Sequence, residues 1–145
     1  MPNNNLTRIV PKNYQSFIQA LPGSNMWRHL YVSDQDGREI DVTEGGNKSC
    51  AYMVSSVLCI FQLIDKPHAT VNTTLKHMLE AGWQKIDKPI KGAVVHWEEH
   101  LGFYLADDFV ISNNSSKGYA SSHGLVMDDG SKPIDFYIHS DIILN

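Results

Sequence analysis

The segment from Cys50 to Ile64 constrains the fold more than any other part of this sequence. If it forms a helix, apolar side chains lie on every face of that helix. Its apolar side chains are Ala51, Met53, Val54, Val57, Leu58, Ile60, Phe61, Leu63 and Ile64. A helix that is hydrophobic all round is buried inside a protein rather than lying at its surface. Ser49 is a candidate N-cap residue for this helix, and a glycine-rich loop of residues 43–48 precedes it. We therefore expect a central helix that other elements cover on several faces.

The remaining elements follow from hydrophobic periodicity and from turn residues. Helical spacing of apolar residues predicts one helix over Lys12–Leu21 and another over Val71–Ala81, which Thr70 caps. Alternating and β-branched patterns predict strands near 28–32, 38–42, 93–97, 101–106, 109–113, 134–138 and 141–144. Residues 1–10 are expected to form a loosely attached arm, and residues 113–123 an exposed polar loop. Helices followed by an antiparallel sheet are typical of an α+β fold.

Length and charge limit the kind of protein this is. A chain of 145 residues corresponds to a single domain over residues 1–145. The net charge of −4 and the pI of about 5.9 predict no basic surface for nucleic acid, and no apolar run is long enough to span a membrane. The N-terminus lacks the basic and apolar regions of a secretory signal. We expect a cytoplasmic protein or one exported by a Sec-independent route, and the sequence does not indicate its oligomeric state.

Two cysteines, Cys50 and Cys59, lie on the predicted central helix. At 1.5 Å per residue they stand about 13 Å apart, beyond the reach of a disulfide, so both are expected to be free thiols. Cys59 lies mid-helix and is interpreted as a small buried apolar residue. Cys50 opens the helix, where the helix dipole favours a thiolate and backbone N–H groups can stabilise an oxyanion. Gly46 in the preceding loop would let substrate approach the backbone closely.

A cysteine nucleophile requires a histidine base within hydrogen-bond reach. Of the seven histidines, His100 stands at the start of a predicted strand and is our candidate for that base. Two aromatic residues are candidates for contacts with substrate. Trp97 lies three residues before His100, and Tyr52 lies two residues after Cys50. For both aromatic residues, ordinary packing in the core is the alternative interpretation.

The segments around Cys50 and His100 resemble the NlpC-like and CHAP amidase superfamily of papain-like cysteine hydrolases. The resemblance spans residues 47–114 and rests on two motifs, Ser49-Cys50-Ala51-Tyr52 at the helix start and His100-Leu101-Gly102-Phe103-Tyr104 on a later strand. It implies a papain-like α+β fold and hydrolysis of amide bonds without a cofactor, most often in the peptide stem of the bacterial cell wall. The sequence departs from the family pattern at Ser49 and Ala93, where members usually have aspartate.

The resemblance also implies a third polar residue that orients His100, on the strand after a predicted hairpin. The pairing of the two strands decides which residue shares the face of His100. A two-residue turn in the hairpin gives Asn113, whereas a three-residue turn gives Ser112 and Asn114. Asn113 is preferred, because its side-chain carbonyl can accept a hydrogen bond from an imidazole N–H. His123 is a further candidate if the loop that contains it folds back.

Other functions are compatible with the same residues. The segment His96-Trp97-Glu98-Glu99-His100 matches the H-x-x-E-H pattern of zinc peptidases, which requires both histidines on one helical face. Its flanks are rich in β-forming residues and Gly102 follows closely, so we expect no metal there. A cysteine peptidase or amidase acting on a peptide outside the cell wall is a second alternative, and a catalytically inactive binding module is a third. The presence of both Cys50 and His100 favours an enzyme.

Overall fold

The computed structural model describes residues 5–143. In this part of the chain the helices are α1 (Val10–Gln19), α2 (Cys50–Ile60) and α3 (Val71–Glu80). The strands are β1 (Tyr31–Ser33), β2 (Glu39–Asp41), β3 (Gln84–Ile86), β4 (Val94–Trp97), β5 (His100–Ala106), β6 (Phe109–Asn114), β7 (Tyr119–Gly124) and β8 (Asp135–Ile138). Short 3-10 turns lie at Glu44–Gly46 and Ser140–Ile142. Within residues 5–143 no helix is both long and apolar enough to cross a membrane.

Six of these strands form one antiparallel sheet in the order β3-β8-β4-β5-β6-β7, while β1 and β2 form a separate hairpin. Asp107 and Asp108 make the tight turn between β5 and β6, and both have positive φ, at 52° and 63°. Such a turn matches the right-handed twist of the two strands, and aspartate tolerates this conformation better than most residues. The helices precede most of this sheet along the chain, and the predicted α+β class is confirmed.

The central helix α2 packs on one face of the six-stranded sheet. Met53, Val54 and Val57 of α2 are fully buried and share a hydrophobic core with Leu101 and Phe103 of β5. The same core also contains residues of α1, α3, β4, β6 and β7, namely Tyr14, Ile18, Met78, Val94, Ile111 and Ala120. Because α2 has neighbours in both other helices and in the sheet, an almost entirely apolar sequence is stable there.

The opposite face of the sheet carries a smaller apolar cluster. Val95 and Trp97 of β4 and Val110 of β6 are its buried members, and Leu125 and Met127 from the segment after β7 pack against them. The indole N–H of Trp97 donates to the backbone carbonyl of Leu125 at 2.9 Å. This contact satisfies the one polar group of a buried tryptophan and holds the segment against the sheet.

Two predicted features of the helices differ from the structure. The central helix ends at Ile60 rather than at Ile64, and Gln62 takes a φ of +59°, which cannot continue a right-handed helix. The Ser49 side chain does not cap this helix, because its hydroxyl donates instead to the carbonyl of Gly46 at 3.1 Å. The predicted cap at Thr70 is confirmed, since its side chain accepts from the backbone N–H of Thr73.

Other differences concern the sheet and the chain ends. The polar stretch 119–124, predicted as part of a loop, forms β7, because it pairs with β6 along its whole length. The short strand β3 was not predicted. Residues 140–142 form a 3-10 turn where a strand over 141–144 was predicted, and residue 144 lies outside the described residues. In the predicted arm, residues 1–4 also lie outside the described part, and α1 begins at Val10.

Candidate active site

The loop before α2 is built around two glycines with left-handed backbone conformations. Gly45 has a φ of +68° and Gly46 a φ of +96°. A Cβ atom on Gly46 would lie 2.6 Å from the Cα of Gly118, in the turn between β6 and β7, so only glycine fits there. The carbonyl of Gly46 accepts hydrogen bonds from Ser49 Oγ at 3.1 Å and from Asn113 Nδ2 at 3.0 Å. These contacts fix the start of α2 against β6.

The thiol of Cys50 lies beside the first residues of β5. Its Sγ is 3.9 Å from the backbone carbonyl oxygen of Glu99, the residue before His100. Burial raises the pKa of the Cys50 thiol, and hydrogen bonds from the backbone N–H groups of Leu101, Ala51 and Cys50 offset only part of that rise. The expectation that the helix start leaves this thiol with a lowered pKa is therefore wrong. In the resting protein Cys50 is a protonated thiol, and Cys50 and Cys59 are both free, as predicted.

Backbone N–H groups at the start of α2 lie next to this sulfur. The first hydrogen bond of α2 runs from the N–H of Met53 to the carbonyl of Ser49 at 2.9 Å. The N–H groups of Cys50, Ala51 and Tyr52 therefore precede the helical ladder, as at every helix start. Two of these groups point at the sulfur. Such an arrangement can stabilise negative charge on the sulfur or on an oxyanion that forms next to it.

His100 is the first residue of β5 and is partly buried at the cleft wall. Burial lowers the pKa of its imidazole from 6.5 to about 4, and repulsion by His123 contributes a smaller part. The ring centroid of Trp97 lies 5.5 Å away. Among residues 5–143, no hydrogen bond to the His100 imidazole shifts its pKa in either direction. At neutral pH His100 is thus uncharged, and a neutral imidazole can act as a proton acceptor.

The lowered pKa of His100 predicts a loss of stability in acid. The unfolded chain binds a proton at His100 near pH 6.5, whereas the folded protein does so only near pH 4. The free energy of unfolding should therefore fall as pH decreases between these values, by at most about 3 kcal/mol from this residue. Urea denaturation at pH 7 and pH 4.5 should show a smaller fall for His100→Asn than for the unmodified protein. Equal falls in both proteins would contradict the buried, neutral state of His100.

The register of β5 and β6 decides which residue shares the face of His100. Phe103 pairs with Ile111, and the register shifts by one residue between Tyr104 and Ala106. The turn has two residues, but this bulge adds a residue to β5, so Ser112 and Asn114 share the face of His100. Of the two registers that the sequence left open, the structure has the one that gives Ser112 and Asn114, and the preferred residue Asn113 lies on the other face. The amide of Asn113 points to the loop before α2 instead, and its buried Oδ1 has no partner among the described residues.

Ser112 and His123 form a hydrogen-bonded pair on the same face as His100. His123 lies on β7, which pairs with β6 so that His123 is opposite Val110. Its Nδ1 is 2.8 Å from the carbonyl oxygen of Gly124, which can only accept, so Nδ1 carries the proton. In neutral His123, Nε2 then accepts from the Ser112 hydroxyl at 2.6 Å. The lone pairs of Ser112 Oγ remain available to another donor.

The candidate residues meet in one cleft of about 770 Å³. It is lined by Cys50, Trp97, His100, Ser112, Asn113 and His123, together with Asn47, Lys48, Glu98, Glu99, Met127, Asp128, Asp129 and residues 69–71 and 114–116. Two predicted substrate-binding residues lie elsewhere: Gly46 is buried against Gly118, and Tyr52 packs against the main core. Asp128 and Asp129, from the segment after β7, also line the cleft.

The segment that matches a zinc-peptidase motif is a β-hairpin rather than a helix. Trp97 pairs with His100, so His96 lies on the opposite face of the sheet from His100. His96 Nδ1 forms a hydrogen bond with Asp135 on β8 at 2.9 Å. The two histidines cannot bind one metal ion from opposite faces, and the alternative interpretation as a zinc peptidase is wrong.

No family model matches this sequence, and no curated protein matches it. A solved structure with a similar fold is that of the peptidoglycan hydrolase RipB from Mycobacterium tuberculosis. The alignment covers 97% of this chain and 70% of that one, with a TM-score of 0.54 and 15% sequence identity. At this identity the likeness establishes the fold alone. The papain-like α+β fold predicted from the sequence is thereby confirmed.

Proposed function

We propose that this protein is a cysteine hydrolase that cleaves amide bonds in the peptide stems of peptidoglycan. The observation that carries the proposal is that Cys50 and His100 line one cleft, with the sulfur against the backbone on both sides of His100. A thiol and a neutral imidazole in one cleft, with helix-start N–H groups next to the sulfur, are a combination suited to acyl transfer. Ordinary core packing would not require these groups at the wall of an open cleft.

In the proposed reaction, His100 acts first as a base. A neutral imidazole nitrogen of His100 takes the thiol proton of Cys50 while Sγ attacks the carbonyl carbon of the substrate. The resulting oxyanion accepts hydrogen bonds from the N–H groups of Cys50 and Ala51. When the C–N bond breaks, the imidazolium gives its proton to the leaving amine, and a thioester with Cys50 remains.

Hydrolysis of the thioester completes the cycle. His100, again neutral, takes a proton from a water molecule that attacks the thioester carbonyl. The C–S bond breaks, the carboxylic acid product leaves and the imidazolium returns its proton to the sulfur of Cys50. The raised pKa of the free thiol and the lowered pKa of His100 both favour this neutral resting pair.

The choice of peptidoglycan as substrate depends on two observations. The motifs at Cys50 and His100 resemble those of cell-wall amidases, and the similar structure, RipB, is described as a peptidoglycan hydrolase.

The cleft is also suited to a short peptide with free termini. The ammonium group of Lys48 in its lining can bind a carboxylate of the peptide. The carboxylates of Glu98, Glu99, Asp128 and Asp129 can bind an amine.

Digestion of purified peptidoglycan tests the proposal. The protein should release fragments that each carry one new amine or one new carboxyl group within the peptide, as read by mass spectrometry. If the digests contained new sugar ends while the peptide stems remained intact, amide hydrolysis would be contradicted. Cleavage of casein or synthetic peptides with no action on peptidoglycan would favour the alternative, a cysteine peptidase on other substrates.

We also propose that Ser112, supported by His123, orients His100 in place of Asn113. Ser112→Ala should lower kcat about 10²-fold and leave KM nearly unchanged, because the loss affects the base rather than substrate binding. Ser121→Ala is the matched control, since Ser121 pairs directly with Ser112 on β7 and lies outside the cleft lining. Steady-state kinetics on a soluble stem peptide measures both variants.

A second variant distinguishes a role in orienting His100 from a role only in stabilising the fold. His123 lowers the pKa of His100 by charge repulsion, so His123→Asn should move the acidic limb of the kcat/KM profile to higher pH. A variant that only loosened the fold would lower activity without moving this limb. If Asn113→Ala lost kcat and Ser112→Ala did not, the assignment of Ser112 would be overturned.

A further inference from the structure

Outside the cleft, three potential metal ligands converge in the connection between α2 and α3. His68 Nε2 lies 2.9 Å from one carboxylate oxygen of Asp65, and His77 Nδ1 lies 2.9 Å from the other. The two imidazole rings are 4.2 Å apart between centroids. One ligand atom from each residue lies within 4.8 Å of the others.

The cluster is held in place before any ligand binds. His68 is only 7% exposed, and its backbone N–H donates to the hydroxyl of Ser55 on α2 at 2.7 Å. Each imidazole contacts a different oxygen of the Asp65 carboxylate, so the three side chains are already brought together. His77 is fixed by its place on α3. The cost of assembling the ligands is therefore small, which favours binding.

A fourth ligand is near. Glu80, one helical turn after His77 on α3, has a carboxylate oxygen 3.8 Å from His77 Nδ1. Two imidazoles with one or two carboxylates are a common ligand set for zinc, and tetrahedral coordination needs four such donors. We propose that Asp65, His68 and His77 form a structural zinc site, with Glu80 or water as the fourth ligand.

The position of this site indicates what the metal does. Residues 69–71, which follow His68 directly, line the cleft. A metal ion bound by Asp65, His68 and His77 would cross-link the connection after α2 to the middle of α3. It would thus stabilise one wall of the cleft without taking part in the reaction. The inference goes beyond the proposed hydrolase function and does not depend on it.

Zinc binding to the whole chain tests the inference. The Cys50→Ala variant is used, because Cys50 and the histidines of the cleft could themselves bind zinc. Calorimetric titration with Zn²⁺ should show one site per chain. At a free Zn²⁺ concentration 100-fold above the dissociation constant, Tm should rise by about 5 °C or more and return to its starting value with EDTA. Co²⁺ should give the visible bands of tetrahedral coordination, without a thiolate charge-transfer band.

Two further variants in the same background locate the bound ion. His77→Ala and Asp65→Asn should each weaken Zn²⁺ binding at least 100-fold, whereas His29→Ala should not. His29 is the matched control because it also pairs with a carboxylate, that of Asp41 at 2.7 Å, but in the hairpin of β1 and β2. Unchanged Zn²⁺ affinity in His77→Ala, or no rise in Tm at any Zn²⁺ concentration, would overturn the proposal. Circular dichroism without metal confirms that each variant is folded.

Discussion

Cys50→Ala is expected to abolish hydrolysis, with kcat at least about 10³-fold lower than in the unmodified protein. In the proposed mechanism the thiol forms the covalent bond to the acyl group, whereas the hydroxyl of the preceding Ser49 is buried and donates to the carbonyl of Gly46. The substitution removes one sulfur atom from a partly exposed position at the cleft wall, so the fold should persist. Product release from peptidoglycan measures the loss, and the unchanged Tm shows that it is not caused by unfolding.

Cys59→Ala provides the matched control for this prediction. Cys59 is a free thiol of similar burial on the same helix, nine residues further on, and it lies outside the cleft lining. Its replacement should leave kcat unchanged. Mass spectrometry of the unmodified protein, quenched during turnover, should detect an acyl group on Cys50 and none on Cys59. Full activity of Cys50→Ala would exclude the thiol mechanism and require another hydrolytic chemistry.

The proposed nucleophile and the proposed base were suggested by local signals in the sequence. Cys50 is placed by the change from a glycine-rich loop to a continuous apolar helix, and His100 by its place at the start of a β-rich segment. Their meeting in one cleft depends on how α2 packs on β5. The apolar sequence of α2 required such a covering sheet, so the general arrangement also followed from the sequence.

The proposed third residue, Ser112, was not predictable, because its place on the face of His100 depends on a one-residue shift in strand pairing. The β-bulge near Leu105 has no marker in the sequence, and it exchanges the faces of Ser112 and Asn113. The strand β7 was missed for a related reason. Its residues are mostly polar and small, and they form a strand only because the edge of β6 is there to pair with them. The raised pKa of the Cys50 thiol was not predictable either, because it results from burial that only the assembled fold creates.

Gly46→Ala is expected to lower the free energy of unfolding by about 3 kcal/mol or more. A Cβ at this position would lie 2.6 Å from the Cα and 2.8 Å from the carbonyl oxygen of Gly118. Backbone atoms cannot move aside as a flexible side chain can, and the φ of +96° adds strain for any residue other than glycine. Urea denaturation of the two proteins at pH 7 measures the difference.

The neighbouring Gly45→Ala variant distinguishes the cost of atomic overlap with Gly118 from the cost of backbone strain. Gly45 has a φ of +68°, but a Cβ there would meet no atom within 4 Å, so its substitution should cost only about 1 kcal/mol. Equal losses in the two variants would show that the contact between Gly46 and Gly118 does not hold the loop. If the contact does hold it, Gly46→Ala should also lower kcat in the molecules that remain folded. The carbonyl of Gly46 positions Ser49, and through it the start of α2 that carries Cys50.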